Sequence, residues 1–348
     1  MPFVGPDYLL AWPPDLLVSE IGVLLQRPVD DDWEESGRRL LGEAFEGSVP
    51  ESQFQQAYGH GPNDQSERVS YLRQLLAVAE TLPLAGSRKP LWKARIAQAK
   101  SDTPDIEQIQ RRFAGLVAEL DSLGYFQKLA GDRAQILTEY IGLPDLWPLS
   151  RSCPWDDVDF YSLIELLDDF VSRPRNREYH EFAGWMWSDL AAQPGQRLYR
   201  WRVNSLFDSS AIPLRLASSG ENEGRLEVVS DDSREDLVAR MVVNPDPSAG
   251  DRVRHAVALF RARDATVEEK RSAVIALAGV LEQRRALVKS ELLRRDEGAL
   301  FQIANNFSVR HQNADQRADY AEEYLDWLFW WYAATVELTE SLIRRSGA

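Results

Sequence analysis

The chain has 348 residues, of which 44% are hydrophobic, and it contains eleven tryptophans. This composition predicts a folded protein with a large core and two or three domains, and it excludes a disordered chain. The formal net charge of −15 argues against nonspecific binding to nucleic acid, and the single Cys153 excludes an internal disulfide.

No targeting or membrane segment is predicted. The N-terminus MPFVGPDYLLAWPPD has no basic region, and prolines and aspartates interrupt its apolar stretches. The longest apolar run, WLFWWYAATV (327–336), is about half as long as a membrane span. We therefore expect a cytoplasmic protein that does not interact with a membrane.

The first region, residues 1–102, is predicted to be a set of short helices. Apolar periodicity places them around 15–26, 34–45, 65–82 and 88–100, with connections rich in Gly, Pro and Asp. The acidic run VDDDWEESG inside this region is interpreted as a solvated helix start rather than as a cation site, because hard cations need oxygen ligands from several directions.

The second region, residues 103–245, is predicted to be a small α+β module. Helical spacing covers 109–120, where Gly124 follows as a stop, and also 156–171 and 196–207. The segment 212–229 then alternates apolar and polar residues on both sides of a Gly- and Asn-rich turn. This pattern predicts a hairpin that pairs 212–217 with 224–229 and is the only sizeable β structure of the chain.

The third region, residues 250–348, is predicted to be a four-helix bundle, after a linker or bend at NPDPSAGD (244–251). Its helices are expected at 251–263, from 266 onward, at 297–309 and at 318–345. The second begins with a capping box, in which Thr266 is followed three residues later by Glu269.

The last helix carries an aromatic stripe at helical spacing. The stripe consists of Tyr320, Tyr324, Trp327, Trp331, Thr335, Leu338 and Leu342. We expect Trp327 and Trp331 to face the core of the bundle. The predicted fold is therefore mainly α, with a single small hairpin in its middle module.

Several enzyme classes are excluded because their motifs are missing. The sequence contains no phosphate-binding loop GxxxxGK[ST], no dinucleotide-binding GxGxxG and no GxSxG nucleophile turn. The four histidines and the single cysteine have no spacing typical of a zinc site. We expect neither a cofactor nor a metal ion.

The most informative polar segment is NNFSVRHQNADQR (305–317), which lies between the third and fourth predicted helices of the C-terminal region. It places Arg310 beside His311, with Asn305 and Asn306 about one turn earlier and Arg317 after them. All five are candidate RNA-contacting residues, and Arg310 and His311 are the candidate catalytic pair. The alternative is purely structural: Arg310 pairs with a nearby carboxylate and His311 caps the third helix.

The C-terminal region with this segment resembles the HEPN superfamily of helical bundles, which is common in bacterial abortive-infection and toxin systems. HEPN ribonucleases carry an Arg, a polar residue, a few variable residues and a His between their last two long helices. Arg310 matches the arginine and His311 the polar residue. The closing histidine is missing, because Asp315, Gln316 and Arg317 stand where it would fall.

The resemblance implies metal-independent attack of a ribose 2′-OH on the adjacent phosphate. Arg310 would stabilise the phosphorane charge, and His311 would transfer the proton near neutral pH. Because neighbours on a helix point about 100° apart, the pair need not converge within one subunit. A homodimer through the bundle, as HEPN proteins form, would bring a second pair into the same cleft.

Two further segments carry patterns typical of nucleic-acid-directed proteins. RNREYH (175–180) fits the R-N-x-x-x-H form more fully, but it follows Pro174 outside the bundle and is interpreted as a surface loop. The stretch 197–229 has the order of a winged helix, which abortive-infection proteins with HEPN-like domains often carry upstream. Its candidate nucleic-acid-binding residues on one helical face are Arg197, Arg200 and Asn204. The acidic hairpin tip makes a packing module the favoured interpretation.

The leading hypothesis is an RNA-directed effector of an antiphage or toxin-like system, with a candidate metal-independent endoribonuclease activity. One alternative is a catalytically inactive HEPN-like module that binds nucleic acid or a protein partner. The other is a winged-helix-like transcription regulator. The expected partners are RNA or a protein, together with a second copy of the chain.

Overall fold

The computed structural model describes residues 8–56, 64–85, 105–143, 145–149, 154–182, 184–210, 212–229, 232–242, 247–291, 300 and 322–346. Its contacts divide the chain into two compact units, Met1–Ile212 and Pro213–Ala348. The sequence suggested a boundary near 245–250 instead. The difference arises because the hairpin predicted over 212–229 packs with the C-terminal helices.

The N-terminal unit is mainly helical. Its helices are α1 (Pro14–Leu25), α2 (Asp31–Ala44), α3 (Val49–Gln56), α4 (Asp64–Val78), α5 (Ile106–Ser122), α6 (Gln127–Ala130), α7 (Arg133–Tyr140), α8 (Asp157–Phe170) and α9 (Ala192–Asp208). The predictions over 15–26, 34–45 and 65–82 are confirmed by α1, α2 and α4. The helix expected at 88–100 lies outside the described residues.

Helix α5 shows how local chemistry defines these elements. The Asp105 carboxylate accepts a hydrogen bond from the Gln108 backbone N–H at 3.1 Å and caps the helix N-terminus. The helix then buries an apolar face that includes Phe113 and Val117. Gly124, with a φ of +84°, turns the chain away after the helix. The predicted helix and its stop are confirmed.

A second hairpin, which the sequence did not predict, lies in the N-terminal unit. Strand β1 (Arg173–His180) pairs antiparallel with β2 (Gly184–Ala191), and its register places Arg177 opposite Trp187 and Tyr179 opposite Trp185. The interpretation of 175–180 as a surface loop was therefore wrong, as was the expectation of a single sizeable β element. Pro174 is compatible with the strand because this two-stranded sheet has only edge strands.

The C-terminal unit begins with the predicted hairpin. Strand β3 (Leu214–Leu216) pairs with β4 (Leu226–Val228), and Leu216 lies opposite Leu226, with both side chains buried. Positive φ values at Gly220 and Gly224 form the turn. The predicted pairing and its shared apolar face are confirmed.

Helices follow the hairpin: α10 (Asp232–Val242), α11 (Pro247–Arg261), α12 (Val267–Gln283), α13 (Arg285–Glu291) and α14 (Glu322–Ser346). The capping box at Thr266 and Glu269 is confirmed, and the helix that it opens is interrupted at Arg284. Helix α10 was not predicted. Of the helix expected at 297–309, only Leu300 is among the described residues.

Helices α10, α11, α12 and α14 pack around one apolar core and form a bundle. Helices α12 and α14 run parallel, because Lys270 contacts Asp326 near their starts and Arg284 contacts Glu340 near their ends. Phe260 of α11 stacks on Phe329 of α14 with ring centroids 3.7 Å apart. A helical bundle in the C-terminal region is therefore confirmed, although one of its four described helices is α10, which the sequence did not predict.

The face that α14 turns inward differs from the prediction. Leu328, Phe329 and Tyr332 are buried in the bundle core, whereas Trp327 is 51% exposed and Trp331 is only partly buried. The expectation of an inward-facing side chain was therefore wrong for Trp327, whereas Trp331 packs against the bundle core. Two apolar stripes run along this helix, and the stripe predicted to face inward includes the exposed Tyr324, Trp327 and Leu338.

Candidate functional site

The predicted elbow lies outside the described residues. This holds for Arg310 and His311, and equally for Asn305, Asn306 and Arg317. Their roles therefore stay predictions that rest on the sequence.

The residues on either side of the elbow belong to the bundle. Leu300 is buried in the bundle core, and its carbonyl accepts a hydrogen bond from the Tyr332 hydroxyl at 3.3 Å. Burial raises the pKa of this hydroxyl. Helix α14 begins at Glu322. The elbow thus connects, along the chain, a residue of the bundle core to the last long helix.

The candidate face of helix α9 is occupied by contacts within the N-terminal unit. Arg200 is 5% exposed and forms a bidentate ion pair with Asp168, with distances of 2.8 Å and 2.7 Å. Arg197 forms an ion pair with Asp15, and Asn204 is half-buried. Arg200 therefore packs α9 on α8, and a phosphate contact at this position would require the pair to open.

The helix and hairpin of the predicted winged-helix module belong to different units. Helix α9 lies in the N-terminal unit, and β3–β4 lies in the C-terminal unit. The hairpin is held there by α11, because the Asn222 side chain donates to the Ala258 carbonyl at 2.9 Å and Glu221 contacts His255 at 2.8 Å. Residues 197–229 are thus not one folded module.

The base of the β1–β2 hairpin is held by a buried ionic cluster that was not predicted from the sequence. The Glu20 carboxylate, 1% exposed, accepts hydrogen bonds from Arg173 at 2.6 Å and from Arg175 at 2.7 Å. Burial by itself would raise the pKa of Glu20. The hydrogen bonds and positive charges of the two arginines outweigh burial and lower it below the ordinary value of 4.5.

A second carboxylate extends this cluster. The Glu43 side chain accepts hydrogen bonds from the Tyr125 hydroxyl at 2.9 Å and from Arg39 at 2.8 Å. Arg39 also donates to the Pro174 carbonyl on the edge of β1. Burial and the negative charge of Glu43 raise the pKa of Tyr125 well above its ordinary value. The cluster ties α1, α2 and the hairpin together.

Above this cluster, cations and aromatic rings alternate along one face of the hairpin. The Arg39 guanidinium lies 5.2 Å from the Trp187 ring, and Arg177 lies 5.8 Å from Trp187 and 4.2 Å from Trp185. Trp185 then contacts Tyr179 edge-on at 5.3 Å. Arg177 is also held by Glu35 at 2.9 Å. We call this arrangement the cation–aromatic stack.

The far end of the hairpin exposes large apolar side chains. Phe182 is fully exposed, and Tyr179, Met186 and Trp185 are 64%, 52% and 49% exposed. We call these four residues the hairpin tip. One signal in the sequence points to it: tryptophans alternate at period two in GWMWS, just after a short Gly-containing turn.

A cleft of about 1290 Å³ lies in the N-terminal unit, where α2, α5 and α9 contribute arginines and carboxylates. Arg38 pairs with Glu51 at 3.0 Å, and Arg202 pairs with Glu119 at 2.8 Å. Arg112 donates instead to the hydroxyls of Ser209 and Ser210, at 3.1 Å and 3.2 Å. The cleft therefore has a polar wall whose charges are largely balanced.

Within the described ranges, no group of three or more His, Cys, Asp or Glu side chains is arranged to hold a metal ion. None of the helices in the part of the chain that the structure describes is long and apolar enough to span a membrane. Comparison with protein-family models, curated proteins and solved structures gave no match.

Proposed function

We propose that this protein is an RNA-directed effector of the abortive-infection or toxin type, in which two copies associate through their C-terminal bundles. Arg310 and His311 act on the RNA backbone in this proposal. The observation that supports it is the outer face of α14, which is suited to bind a second copy. The proposal places the protein in the cytoplasm, where its RNA substrate is.

The outer face of α14 is apolar and regularly spaced. Tyr324, Trp327, Trp331 and Leu338 follow one another at intervals of three, four and seven residues. Tyr324, Trp327 and Leu338 are 54%, 51% and 41% exposed, and the rings of Trp327 and Trp331 stack at 5.4 Å. Intervals of three and four residues produce a straight seam along a helix, which is the pattern that packs against another helix.

The chemistry of the elbow explains why a second copy is needed. Arg310 and His311 are neighbours, so on a helix their side chains diverge by about 100°. Cleavage without a metal requires a cation on the phosphate oxygens and a group that transfers a proton near neutral pH. Association through α14, which begins only eleven residues after His311, would supply both groups from two elbows.

The charge distribution is compatible with an RNA substrate at the bundle. Residues 251–348 contain 15 Lys/Arg and 15 Asp/Glu, which cancel, so the first 250 residues carry the whole net charge of −15. Electrostatic repulsion of a phosphate backbone is therefore weakest in the C-terminal region.

Catalysis is tested with the purified full-length chain and total RNA in EDTA. We expect products with 2′,3′-cyclic phosphate ends and a rate that changes through the titration range of histidine. Arg310→Lys and His311→Ala should each reduce the rate by about a hundredfold or more, because a point charge cannot replace the guanidinium fork. Arg345→Lys and His255→Ala are matched controls in the same unit and should leave the rate unchanged.

Dimerisation is tested by light scattering and sedimentation. Trp327→Ser combined with Leu338→Ser should shift the protein from dimer toward monomer. The rate of RNA cleavage should fall as the dimer fraction falls. The matched control is Val267→Ser combined with Ile275→Ser. Both residues lie on α12, and their exposed fractions of 42% and 39% are similar to those of Trp327 and Leu338. Wild type that binds RNA but produces no cleavage would support the inactive RNA-binding module instead.

A further inference from the structure

The hairpin tip is a second apolar surface, separate from the bundle and from the elbow. Its four side chains, Tyr179, Phe182, Trp185 and Met186, lie at the end of a two-stranded hairpin and are each about half exposed or more. Tyr179 and Trp185 share one face of the hairpin, Phe182 lies in the turn, and Met186 lies on the other face, opposite Glu178. Exposed aromatic and methionine side chains are typical of protein-binding surfaces, because they bury a large apolar area on contact. The proposed ribonuclease function does not use them.

Trp185 and the base of the hairpin are held by contacts within the N-terminal unit. The cation–aromatic stack fixes Trp185 between Arg177 and Tyr179, and the cluster around Glu20 and Glu43 anchors the base. Gly124 approaches Trp187 so closely that an added Cβ would lie 2.5 Å from the ring. A surface that is already ordered loses less conformational entropy on binding, which favours affinity.

The charge around the tip identifies the chemistry of the partner. Glu178 and Glu181 are exposed, and Glu178 contacts His180 at 3.4 Å. The charge of Arg177, which lies against Trp185, is paired with Glu35 at 2.9 Å, so the two glutamates give the tip an acidic balance. An acidic tip repels RNA and anionic lipid, because both carry phosphate charges. A second copy would place the same acidic groups opposite each other. The two N-terminal units would also repel each other, because each contains 21 Lys/Arg and 32 Asp/Glu.

We infer that the hairpin tip docks into an apolar groove, bordered by lysines or arginines, on a different protein. Phe182 and Trp185 fill the groove, and Glu178 and Glu181 face its basic rim. This inference goes beyond the proposed function and does not depend on it.

The test places a benzoylphenylalanine photo-crosslinker at Phe182 in the full-length protein, inside the organism that encodes it. Mass spectrometry then identifies the crosslinked molecule and the residue that is attached. We expect one protein, with the attachment inside an apolar groove that is flanked by Lys or Arg. The identified protein is purified, and its affinity for the unlabelled chain is measured at low and high salt.

The variants make this result specific. Phe182→Ser combined with Trp185→Ser should weaken binding at least about tenfold, since buried aromatic anchors dominate interface energy. Glu178→Lys combined with Glu181→Lys should also weaken binding and reduce its dependence on salt. Val158→Ser, which changes a 69% exposed residue on α8, is the control and should leave binding unchanged.

The other outcomes overturn the inference. The first is a crosslink to a second copy of the chain, to RNA or to lipid, and the second is the absence of any crosslinked product. The third is a purified partner that binds wild type and both hairpin variants with the same affinity. Equal urea midpoints for wild type and variants show that a loss of binding does not come from unfolding.

Discussion

Arg200 on α9 and Asp168 on α8 form a bidentate ion pair in the interior of the N-terminal unit, with side chains that are 6% and 1% exposed. Removing one charge leaves the other buried without compensation. We therefore expect Asp168→Asn to lower the free energy of unfolding by about 3–5 kcal/mol. Urea denaturation measures this change.

The control for this prediction is the surface pair of Arg111 and Glu107, whose side chains are 58% and 63% exposed. Glu107→Gln should change the free energy of unfolding by less than about 1 kcal/mol, because water screens the pair. Equal losses for the two variants would contradict the structural role of Arg200.

The ionic cluster at the hairpin base predicts a dependence of stability on pH. The pKa of Glu20 is lower in the folded protein than its ordinary value of 4.5, so the unfolded chain binds the proton more readily. The contribution of Glu20 to stability is therefore complete above about pH 4.5 and is lost as pH falls through the lowered pKa.

Urea denaturation of wild type and Glu20→Gln between pH 7 and pH 3 tests this dependence. The two proteins should differ most at neutral pH, and the difference should shrink below about pH 4.5. A difference that stays constant over this range would show that the charge of Glu20 contributes nothing.

Two helical glycines predict opposite effects of the same substitution. A Cβ at Gly195 would lie 2.6 Å from the backbone N of Arg173 and from the Cα of Ser172, which cannot move as a flexible side chain does. Gly195→Ala should therefore destabilise the protein by about 1–3 kcal/mol. The urea midpoint measures the change.

Gly115, in the middle of α5, has no atom within 4 Å of the position of an added Cβ. Gly115→Ala should stabilise the protein by about 0.5–1 kcal/mol, because alanine loses less conformational freedom in a helix. Stabilisation by Gly195→Ala would contradict the close contact of α9 with the hairpin base, and destabilisation by Gly115→Ala would contradict the open space beside α5.

The two faces of α14 predict different consequences for neighbouring aromatic residues. Phe329 is buried and stacks on Phe260, so Phe329→Ala should cost about 3–5 kcal/mol of unfolding free energy. Trp327 is 51% exposed, and Trp327→Ala should change the stability of the monomer by about 0.5 kcal/mol at most. Denaturation at low protein concentration separates these effects from dimerisation.

Elements with strong local signals were predicted well. The capping box at Thr266 and Glu269 is satisfied by atoms three residues apart, so no distant contact is needed to place the helix start. The β3–β4 register likewise follows from apolar alternation on both sides of a Gly- and Asn-rich connection. These signals involve residues that are close in the sequence.

The β1–β2 hairpin was missed because its stability comes from distant residues. Its first strand, RPRNREYH, has the composition of a polar loop. It is held by Glu20 on α1 and by Ser36 and Arg39 on α2, which donate to the carbonyls of Arg175 and Pro174. No pattern within 173–180 specifies those partners.

The sequence by itself determined that the protein is mainly helical, where most of the longer described helices lie, and which residue types stand at the Arg310–His311 elbow. Helix caps, apolar periodicity and turn residues act over a few positions, so they can be read from the chain directly. Only the tertiary structure decided that Arg200 is buried against Asp168, that Trp327 faces outward and that aromatic residues are exposed at the hairpin tip. Burial depends on which distant elements pack together, and a helix with two apolar stripes contains no local information about which stripe its neighbours will cover.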